Sequence, residues 1–432
     1  MATPEPSQQE HLPGFLTPEL VRKIAQEHGT PTYVYDQRTL EEQADKALAF
    51  PNASGLTVRF AMKANPNMNI LRILHNKGVH IDASSGYEAE RAMMAGIPAE
   101  NILLTSQQIP DNLRELVRKG VQYNACSFHQ LAAFAELADR PDEVSLRINP
   151  GLGSGGTNKT NTGGPASSFG IWHGEMNGIV DDLRRYKLGI KRIHTHIGSG
   201  SDPKVWEKVA GMSLDILAKF GAQGLQAKIL NLGGGYKVGR MGYESSTNLQ
   251  ACGSPVATAF KRFNQSEWGR LRLEIEPGTF LLANAGAIVA KVADVKGTPG
   301  YDFIITDTGM TDVARPTLYG AQHPITLVTK DGTSRTTNHN YIVSGHCCES
   351  GDILTPAEDN PEELKTRRLH EARRGDLVVV GGAGAYCSSM SPSNYNSFLQ
   401  SPEVLIDRKG KTHQIRKRQT LAQVVQNEVM LK

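Results

Sequence analysis

The chain has 432 residues with 47 basic and 44 acidic side chains, and its net charge of +3 excludes a strong attraction to nucleic acid or to a membrane surface. No uncharged apolar run reaches the ~18 residues of a membrane-spanning helix, and the length predicts two domains. Five cysteines without CxxC spacing, after a start without an apolar signal segment, predict a reduced cytoplasmic protein without disulfides or a zinc site.

Eight β-rich runs alternate with segments of helical period from residue 56 onward. These runs cover residues 56–64, 79–85, 101–106, 121–127, 143–150, 190–198, 228–235 and 270–277. Eight such repeats over about 240 residues have the size of a (β/α)8 barrel, in which crossover helices join parallel strands. The sequence therefore predicts the α/β fold class, with a TIM-like (β/α)8 barrel over residues 38–283.

After the barrel range, the pattern changes to short strands and turns. Runs such as AIVAKVADVKG and DLVVVGG predict a second, mostly antiparallel β domain, built as a β-barrel or sandwich. The strand-like segment PTYVYD precedes the barrel, so we assign residues 1–37 to this domain together with 284–432. The glycine-rich stretch 151–168 is long for a loop between a strand and a helix, which leaves two interpretations open: a mobile lid or an insertion without a role.

Barrel enzymes place their chemistry at the carboxyl ends of the strands. Lys63 ends the first predicted strand, where burial would lower the pKa of its amine and make it nucleophilic. His194 and His196 share one face of the sixth strand and could form half of a metal site. The later strand ends offer glycine and glutamate in place of further His or Asp ligands, so we expect no metal. His194 is then expected to be a core residue beside His196.

The last two barrel strands end in a glycine run and a pair of carboxylates. Gly233, Gly234 and Gly235 allow backbone N–H groups to approach a phosphate after strand seven, a usual place for phosphate sites in barrels. Glu274 and Glu276 lie on one face of strand eight. A lysine, a phosphate site and a carboxylate that keeps a pyridine nitrogen protonated together favour pyridoxal 5'-phosphate (PLP) as cofactor.

These motifs resemble those of the fold type III, alanine-racemase-like PLP decarboxylases, from about Thr30 to the C-terminus. The resemblance implies that Lys63 in FAMKAN binds the cofactor covalently, that His196 in HTHIGSG stacks on its ring, and that Glu276 in EPG meets the pyridine nitrogen. The other implied cofactor contacts are Asp82, Ser199, Gly233, Gly234, Gly235, Pro277, Gly278, Thr279 and Tyr386.

The second predicted domain carries motifs that resemble the substrate-binding segments of the same family. Arg315 and Tyr319 in RPTLYGAQH are implied substrate contacts, and Tyr386 in GAGAYCSSM is implied to contact both the substrate and the cofactor phosphate. GHCCESGD resembles the CESxD motif, in which Cys348 would donate a proton and Glu349 would bind the distal amino end of the substrate. The implied catalytic residues are Lys63, His196 and Cys348.

The activity implied by the resemblance is PLP-dependent decarboxylation of meso-2,6-diaminopimelate to L-lysine and CO₂, the last step of lysine biosynthesis. It also implies a homodimer in which Cys348 and Glu349 of one chain serve Lys63 of the other. Three alternatives remain open: decarboxylation of another basic amino acid such as ornithine, lysine or arginine, a non-catalytic PLP-fold binding protein, and a metal-dependent hydrolase based on the HxH pair.

Two departures from the family pattern affect the binding of a substrate carboxylate. Thr279 stands where the family usually has an arginine, and threonine cannot supply that bidentate charge. Ser167 and Ser168 stand where a Ser-Lys pair is usual, which removes a further cation. We therefore expect Arg315 or another basic group to compensate.

A third departure precedes the CESxD motif. His346 and Cys347 replace a proline and an aliphatic residue. His346 has two interpretations, a group that tunes the Cys348 thiol or an ordinary turn residue.

Overall fold

The computed structural model describes residues 11–153, 162–198 and 200–431, and the chain divides into two units. The barrel unit comprises Glu41–Lys237 and Ser246–Leu281, and the β unit comprises Met1–Leu40, Val238–Ser245 and Leu282–Lys432. Residues 238–245 fall inside the barrel range expected from the sequence, yet they group with the β unit.

The described residues form the following strands in chain order: β1 (Thr32–Asp36), β2 (Leu56–Ala61), β3 (His80–Ala83), β4 (Ile102–Leu104), β5 (Gln122–Ala125), β6 (Glu143–Asn149), β7 (Ile171–Trp172), β8 (Gly189–His194), β9 (Ile229–Asn231), β10 (Arg272–Ile275), β11 (Gly286–Gly297), β12 (Asp302–Thr306), β13 (Ile325–Val328), β14 (Asn338–Ser344), β15 (Pro356–Ala357), β16 (Asn360–Leu364), β17 (Arg367–His370), β18 (Leu377–Val380), β19 (Glu403–Ile406) and β20 (Thr412–Arg416). Their α-helices are α1 (Pro18–His28), α2 (Gln37–Leu48), α3 (Met68–Asn76), α4 (Gly86–Met94), α5 (Leu113–Arg118), α6 (Phe128–Ala135), α7 (Met176–Tyr186), α8 (Pro203–Gly221), α9 (Leu249–Phe263), α10 (Thr279–Leu282), α11 (Arg315–Tyr319) and α12 (Leu421–Val424). None of these described helices is both long and apolar enough to cross a membrane.

The barrel unit is a closed ring of parallel strands. The order is β2-β3-β4-β5-β6-β8-β9-β10, and β10 pairs with β2 to close the ring. The short strand β7 pairs with β6 beside the ring. All eight strands expected from the sequence are present, so the predicted TIM-like barrel is confirmed.

Serine caps turn the chain from strand to helix at two strand ends. Ser85 follows β3 and its side chain accepts a hydrogen bond from the Glu88 N–H, which begins α4. Ser127 follows β5 and accepts from the Gln130 N–H in the same way, which begins α6. Capping satisfies an N–H group that the first helical turn leaves unpaired, so each strand passes into its helix within a few residues.

One carboxylate and two arginines fill the barrel interior. Glu274 on β10 receives hydrogen bonds from Arg59 Nη2 at 3.0 Å and from Arg192 Nε at 2.7 Å. Arg192 Nη1 also donates to Ser145 Oγ at 2.8 Å. All four residues are buried. Burial raises the pKa of Glu274, but the two guanidinium groups outweigh it and lower the pKa to about 2.

The β unit is a mixed sheet that includes the N-terminal strand. Its order is β17-β14-β12-β11-β1-β19-β20, with β18 pairing with both β11 and β13. Six of its strand pairs are antiparallel, and β1–β19 and β12–β14 are parallel. The expectation of a second, mostly antiparallel β domain is confirmed. Helix α1 buries Val21 and Ile24 against Val34 and Val289 of this sheet.

We predict that Glu274→Ala lowers barrel stability by about 3–5 kcal/mol, because two buried guanidinium groups lose their carboxylate. The folded pKa of about 2 lies below the ordinary 4.5, so the carboxylate contributes its stability above pH 4.5 and loses it as the pH falls toward 2. Thermal melting at pH 7 would measure the change. Glu115→Ala, which removes an exposed carboxylate paired with Lys119, is the control and is expected to melt like the wild type. Equal melting of the Glu274 and Glu115 variants would contradict the prediction.

Candidate active site

Three neighbouring barrel strands bring their last polar side chains together around Glu276. Asn231, the last residue of β9, donates from Nδ2 to Glu276 Oε1 at 2.6 Å. His194, the last residue of β8, lies with Nε2 at 3.1 Å from Glu276 Oε2. Glu276 follows the end of β10, so these three side chains are neighbours only because the strands are. All three are buried.

The hydrogen bonds around His194 fix which groups carry charge. The amide of Asn124 lies 3.0 Å from His194 Nδ1 and donates to it, so the imidazole proton sits on Nε2 and is donated to Glu276. Burial lowers the pKa of His194, which keeps the ring neutral. Burial raises the pKa of Glu276, but His194 and Asn231 outweigh it and hold the pKa below its ordinary value. The site therefore contains an ionised carboxylate and a neutral imidazole. His194 is buried, as expected for a core residue, and it also donates a hydrogen bond to Glu276, which the sequence did not indicate.

Asp82 on β3 is, like Glu274 and Glu276, a buried carboxyl group in the barrel. Burial raises its pKa well above the ordinary value, and the negative charge of Glu276 raises it further. Its Oδ1 atom is buried and has no hydrogen-bond partner among the residues that the structure describes. Burial and the negative charge of Glu276 therefore favour the protonated form of Asp82, whereas the hydrogen bonds from His194 and Asn231 favour the ionised form of Glu276.

His196 is held by the glycine run that follows β9. Its Nδ1 accepts a hydrogen bond from the Gly234 N–H at 3.2 Å, and its ring centroid lies 6.5 Å from that of His194. Burial lowers the pKa of His196 well below its ordinary value, with the positive charges of Arg147 and Lys63 adding to the effect. The ring is therefore neutral at pH 7.

The glycine run also leaves no space for side chains. A Cβ at Gly233, where φ is +69°, would overlap the His196 ring, and a Cβ at Gly234 would overlap the backbone carbonyl oxygen of Glu276. These glycines thus have a packing role in addition to the phosphate-binding role expected from the sequence. Pro277 and Gly278 are buried after Glu276, and Thr279 is half-buried at the start of α10.

Lys63 differs from the sequence expectation in its local structure and its exposure. Strand β2 ends at Ala61, and Lys63 lies in the 3-10 turn Met62–Ala64 that follows. The turn buries Met62 and Ala64 on either side, whereas the Lys63 side chain is exposed, and its charge acts on Asp82 and His196 of the barrel. The prediction of a buried lysine at the end of a strand was wrong on both points.

The described ends of the 151–168 stretch are anchored by Asn149, the last residue of β6. Its Oδ1 accepts from the N–H groups of Gly151 and Gly164, at 3.1 and 2.9 Å, and its Nδ2 donates to the Gly164 carbonyl oxygen. Arg147 lies over the Phe169 ring at 4.7 Å. Residues 154–161, at the centre of the lid hypothesis, lie outside the described residues, as does Ser199.

In the β unit, Asp352 organises the CESxD loop. Its Oδ2 accepts from the Cys347 N–H at 2.8 Å and its Oδ1 accepts from the Met310 N–H at 2.6 Å. Asp352 is buried, whereas Cys348 and Glu349 are exposed. The fixed backbone of this loop presents the two side chains that the family motif implicates.

Glu349 is held in an ionised form by neighbouring donors. Its Oε1 accepts from the Gly351 N–H at 3.2 Å, and its Oε2 accepts from Tyr395 Oη at 3.2 Å. The backbone hydrogen bond from Gly351 and then the Tyr395 hydroxyl lower the pKa of Glu349. An exposed, oriented carboxylate of this kind can bind an ammonium group.

His346 packs as a turn residue. Its ring stacks on Phe398 with 3.7 Å between the centroids and 1° between the planes, and its Nε2 lies 2.7 Å from Thr311 Oγ1. Burial and the nearby Asp352 raise the pKa of the adjacent Cys347 thiol to about 12. These contacts favour the turn-residue interpretation over a role in tuning Cys348.

The remaining implied substrate contacts also lie in the β unit. Arg315 and Tyr319 are the first and last residues of α11 and are half-buried. Tyr386 has φ +57°, a left-handed conformation that is uncommon for a residue with a Cβ. Such strain is concentrated at functional positions.

Sequence reasoning assigned no role to several polar residues that position the site. They are Asn124, Asn149, Asn231 and Asp352, each buried and hydrogen-bonded to a residue or loop discussed above. Three of them stand at or near the ends of barrel strands, and that position was the available signal. Among the described residues, no group of three or more His, Cys, Asp or Glu side chains could hold a metal ion.

The barrel defines the class of protein. A family model described as "Pyridoxal-dependent decarboxylase, pyridoxal binding domain" matches residues 38–283, more than half of the chain. The ionised Glu276, the neutral His196 ring and the close-packed glycine run belong to this matched range. The chain is therefore a PLP-dependent decarboxylase.

Full-length relatives narrow the family. The chain is 35% identical to "Diaminopimelate decarboxylase" of Escherichia coli K12 over 422 residues, which cover 96% of this chain and 97% of that protein. A solved "diaminopimelate decarboxylase" aligns with a TM-score of 0.88 and 34% identity, over 95% of this chain and 96% of that one. The enzyme from Helicobacter pylori, solved in complex with L-lysine, aligns with a TM-score of 0.82 and 26% identity, over 94% and 98% of the two chains. The chain belongs to the diaminopimelate decarboxylase family.

The barrel residues fit the cofactor of this family. PLP needs an amine for covalent attachment, a carboxylate for its pyridine nitrogen and backbone N–H groups for its phosphate. Lys63 offers an exposed amine, Glu276 is ionised and oriented by two donors, and the Gly233–Gly235 run provides a backbone without side chains. The buried, unpartnered Oδ1 of Asp82 is a further group available to a ligand.

We predict that Gly234→Ala destabilises the barrel by about 1–3 kcal/mol and weakens PLP binding, because its methyl group would collide with the Glu276 backbone. Thermal melting and titration with PLP followed by absorbance would measure both effects. Gly211→Ala on α8 is the matched control, since its methyl group would meet nothing within 4 Å and alanine favours helix. PLP affinity at the wild-type level in Gly234→Ala would contradict the packing argument.

Proposed function

We propose that this chain decarboxylates meso-2,6-diaminopimelate at its D-configured centre, giving L-lysine and CO₂ as the last step of lysine biosynthesis. The observation that carries the proposal is the CESxD loop, where Glu349 is ionised, exposed and oriented beside Cys348. A carboxylate in this position suits a substrate with a second amino group at its far end. The relatives described above are named diaminopimelate decarboxylases, and one of them was solved with L-lysine bound.

The barrel residues would hold and polarise the cofactor. When bound, PLP supplies an electron sink for the electron pair that stays on the substrate when CO₂ leaves. Lys63 provides the amine that attaches it. Glu276, kept ionised by Asn231 and His194, would hold the proton on the pyridine nitrogen, and His196 offers an uncharged aromatic face to the ring. The proposed further contacts are Asp82, Ser199, Gly233, Gly234, Gly235, Pro277, Gly278, Thr279 and Tyr386.

The β-unit residues would handle the substrate. We assign Cys348 as the donor of the proton that replaces CO₂ on the α-carbon, and Glu349 as the partner of the distal ammonium group. Arg315, Tyr319 and Tyr386 are assigned to the remaining substrate contacts. Asp352 would act through the loop backbone, because it holds the Cys347 N–H.

The proposed enzyme is a cytoplasmic homodimer with shared active sites. Cys348 and Glu349 of one chain would complete the site around Lys63 of the other. The exposure of both side chains supports this arrangement, since a group that serves another chain has to lie at a surface. The five free cysteines support a reducing compartment.

The first test is CO₂ release by the purified protein with added PLP. We expect release and lysine formation from meso-diaminopimelate, and none from L-lysine, L-ornithine or L-arginine. Lys63→Ala should abolish turnover, whereas Cys348→Ala should slow it and leave PLP binding intact. Lys219→Ala removes an exposed lysine from α8 and is the control, expected to match the wild type.

Other outcomes would change the assignment. CO₂ release from another basic amino acid alone would mean that Thr279, in place of the usual arginine, changes the substrate specificity. No release from any of the four would favour a non-catalytic PLP-binding protein. Full activity in Lys63→Ala would refute the role of that lysine.

Mixing the inactive Lys63→Ala variant with the slowed Cys348→Ala variant tests the shared site. Lys63→Ala and Cys348→Ala, combined in equal amounts after subunit exchange, should recover roughly a quarter of wild-type activity, because half of the dimers are mixed and each has one intact site. The mixture would be compared with each variant alone, and light scattering would give the mass in solution. No recovery after verified exchange would mean that each chain completes its own site.

A further inference from the structure

Within the described part of the chain, two arginines of the β unit form no ion pair with a carboxylate. Arg240 donates from Nε to the Gly382 carbonyl oxygen at 3.0 Å, but its Nη2 is buried without a hydrogen-bond partner. The Nε of Arg315 is buried without a partner as well. Among residues 11–153, 162–198 and 200–431, no Asp or Glu forms an ion pair with either guanidinium. Both residues are half-buried, and a buried N–H of a guanidinium without an acceptor is costly, so both groups are poised to bind an anion.

The charges of the Arg240 and Arg315 guanidinium groups influence the pKa values of the same neighbouring groups. Burial lowers the pKa of Arg240 to about 9, and the largest charge acting with burial is that of Arg315. Burial raises the pKa of the Cys387 thiol to about 11, while Arg315 and Arg240 both oppose the rise. Burial, Arg240 and Arg315 also lower the pKa of His323. The charges of both arginines therefore act on the Cys387 thiol and on the His323 ring, and the charge of Arg315 acts on Arg240.

The neighbouring polar groups do not form an ion pair with the Arg240 guanidinium, although the charge of Glu244 opposes the lowering of its pKa. The carboxylate of Glu244 accepts from the backbone N–H groups of Arg240 and Met241, at 2.6 and 2.9 Å, rather than from the Arg240 guanidinium. His323 is neutral and donates from Nδ1 to the Gly381 carbonyl oxygen at 2.9 Å. Burial keeps the Cys387 thiol protonated.

The backbone fixes the position of Arg240. Gly382 has φ +63°, and a Cβ there would lie 2.8 Å from Arg240 Cγ, so the arginine stem packs where a side chain would otherwise stand. Together with the Nε–carbonyl hydrogen bond, this contact orients the far end of the guanidinium. An oriented fork of N–H groups is suited to a carboxylate.

We propose that Arg240 and Arg315 together bind the carboxylate at the distal, L-configured centre of the substrate, so that Arg240 supplies the charge missing at Thr279. This inference rests on the proposed function for the identity of the ligand. It assigns to residues 238–245, which group with the β unit, a part in substrate selection.

Calorimetric titration of the PLP-saturated holoenzyme with two ligands tests the proposal. L-lysine keeps the carboxylate in question, and 1,5-diaminopentane lacks it. Arg240→Gln should raise the Kd for L-lysine by about 10- to 100-fold, as expected for losing a charge-assisted hydrogen bond, and leave the Kd for 1,5-diaminopentane unchanged. Arg374→Gln, which removes an exposed arginine of the same unit, is the matched control and should bind both ligands like the wild type.

Arg240→Lys keeps the charge but not the fork, so its Kd for L-lysine should be intermediate. It also serves as the test variant if Arg240→Gln does not fold, as judged by thermal melting. An unchanged Kd for L-lysine, or equal weakening of both ligands, would overturn the proposal. Loss of PLP affinity with lysine binding unaltered at saturating PLP would overturn it too, in favour of a phosphate contact.

The proposed function and this inference fail separately. A wild type that releases CO₂ from diaminopimelate but binds L-lysine independently of Arg240 would refute only the arginine pair. If the wild type releases no CO₂ but Arg240→Gln weakens the binding of L-lysine, the proposed reaction is refuted and the carboxylate site is retained.

Discussion

The amide of Asn231 contacts two buried carboxylates, and this contact ties the stability of the barrel to its chemistry. Its Nδ2 lies 3.3 Å from Glu274 Oε2 and 2.6 Å from Glu276 Oε1. Glu274 is neutralised by Arg59 and Arg192 in the interior, whereas the donors that Glu276 has in the described part of the chain, His194 and Asn231, are neutral. Glu274 on β10 and Glu276 just after it thus face the same interior but differ in function, because one carboxylate has cationic partners and the other keeps its charge for a ligand.

Two kinds of charge burial distinguish the structural and functional parts of the molecule. Arg59 and Arg192 share a carboxylate in the barrel, and Arg335 pairs with Asp376 in the β unit. Arg240 and Arg315 have no such partner in the described structure. A buried pair contributes to the fold, whereas a buried unpaired charge carries a desolvation cost that only a ligand of opposite sign can offset. The unpaired arginines are therefore the informative ones.

Hydrogen bonds and close contacts of the backbone fix the segments that carry the functional side chains. Asp352 holds the CESxD loop by its N–H groups, while Cys348 and Glu349 remain exposed. The glycine run keeps His196 and the Glu276 backbone in contact with the end of β9. In both places a residue without direct chemistry fixes the geometry of one that has it, as preorganised sites require.

The sequence predicted the order of strands and helices and the eight barrel strands, because hydrophobic period and turn residues are local properties. It also predicted the pair Glu274 and Glu276 at the end of the eighth barrel strand. The cofactor PLP could be predicted from the family motifs. The exposure of Lys63, the hydrogen bond from His194 to Glu276 and the grouping of residues 238–245 with the β unit could not be predicted in this way. They depend on which strands lie side by side and on which buried groups find partners. Protonation states at Asp82 and Glu276, and the unpaired state of Arg240, follow from those contacts between residues far apart in the chain, so only the tertiary structure decided them.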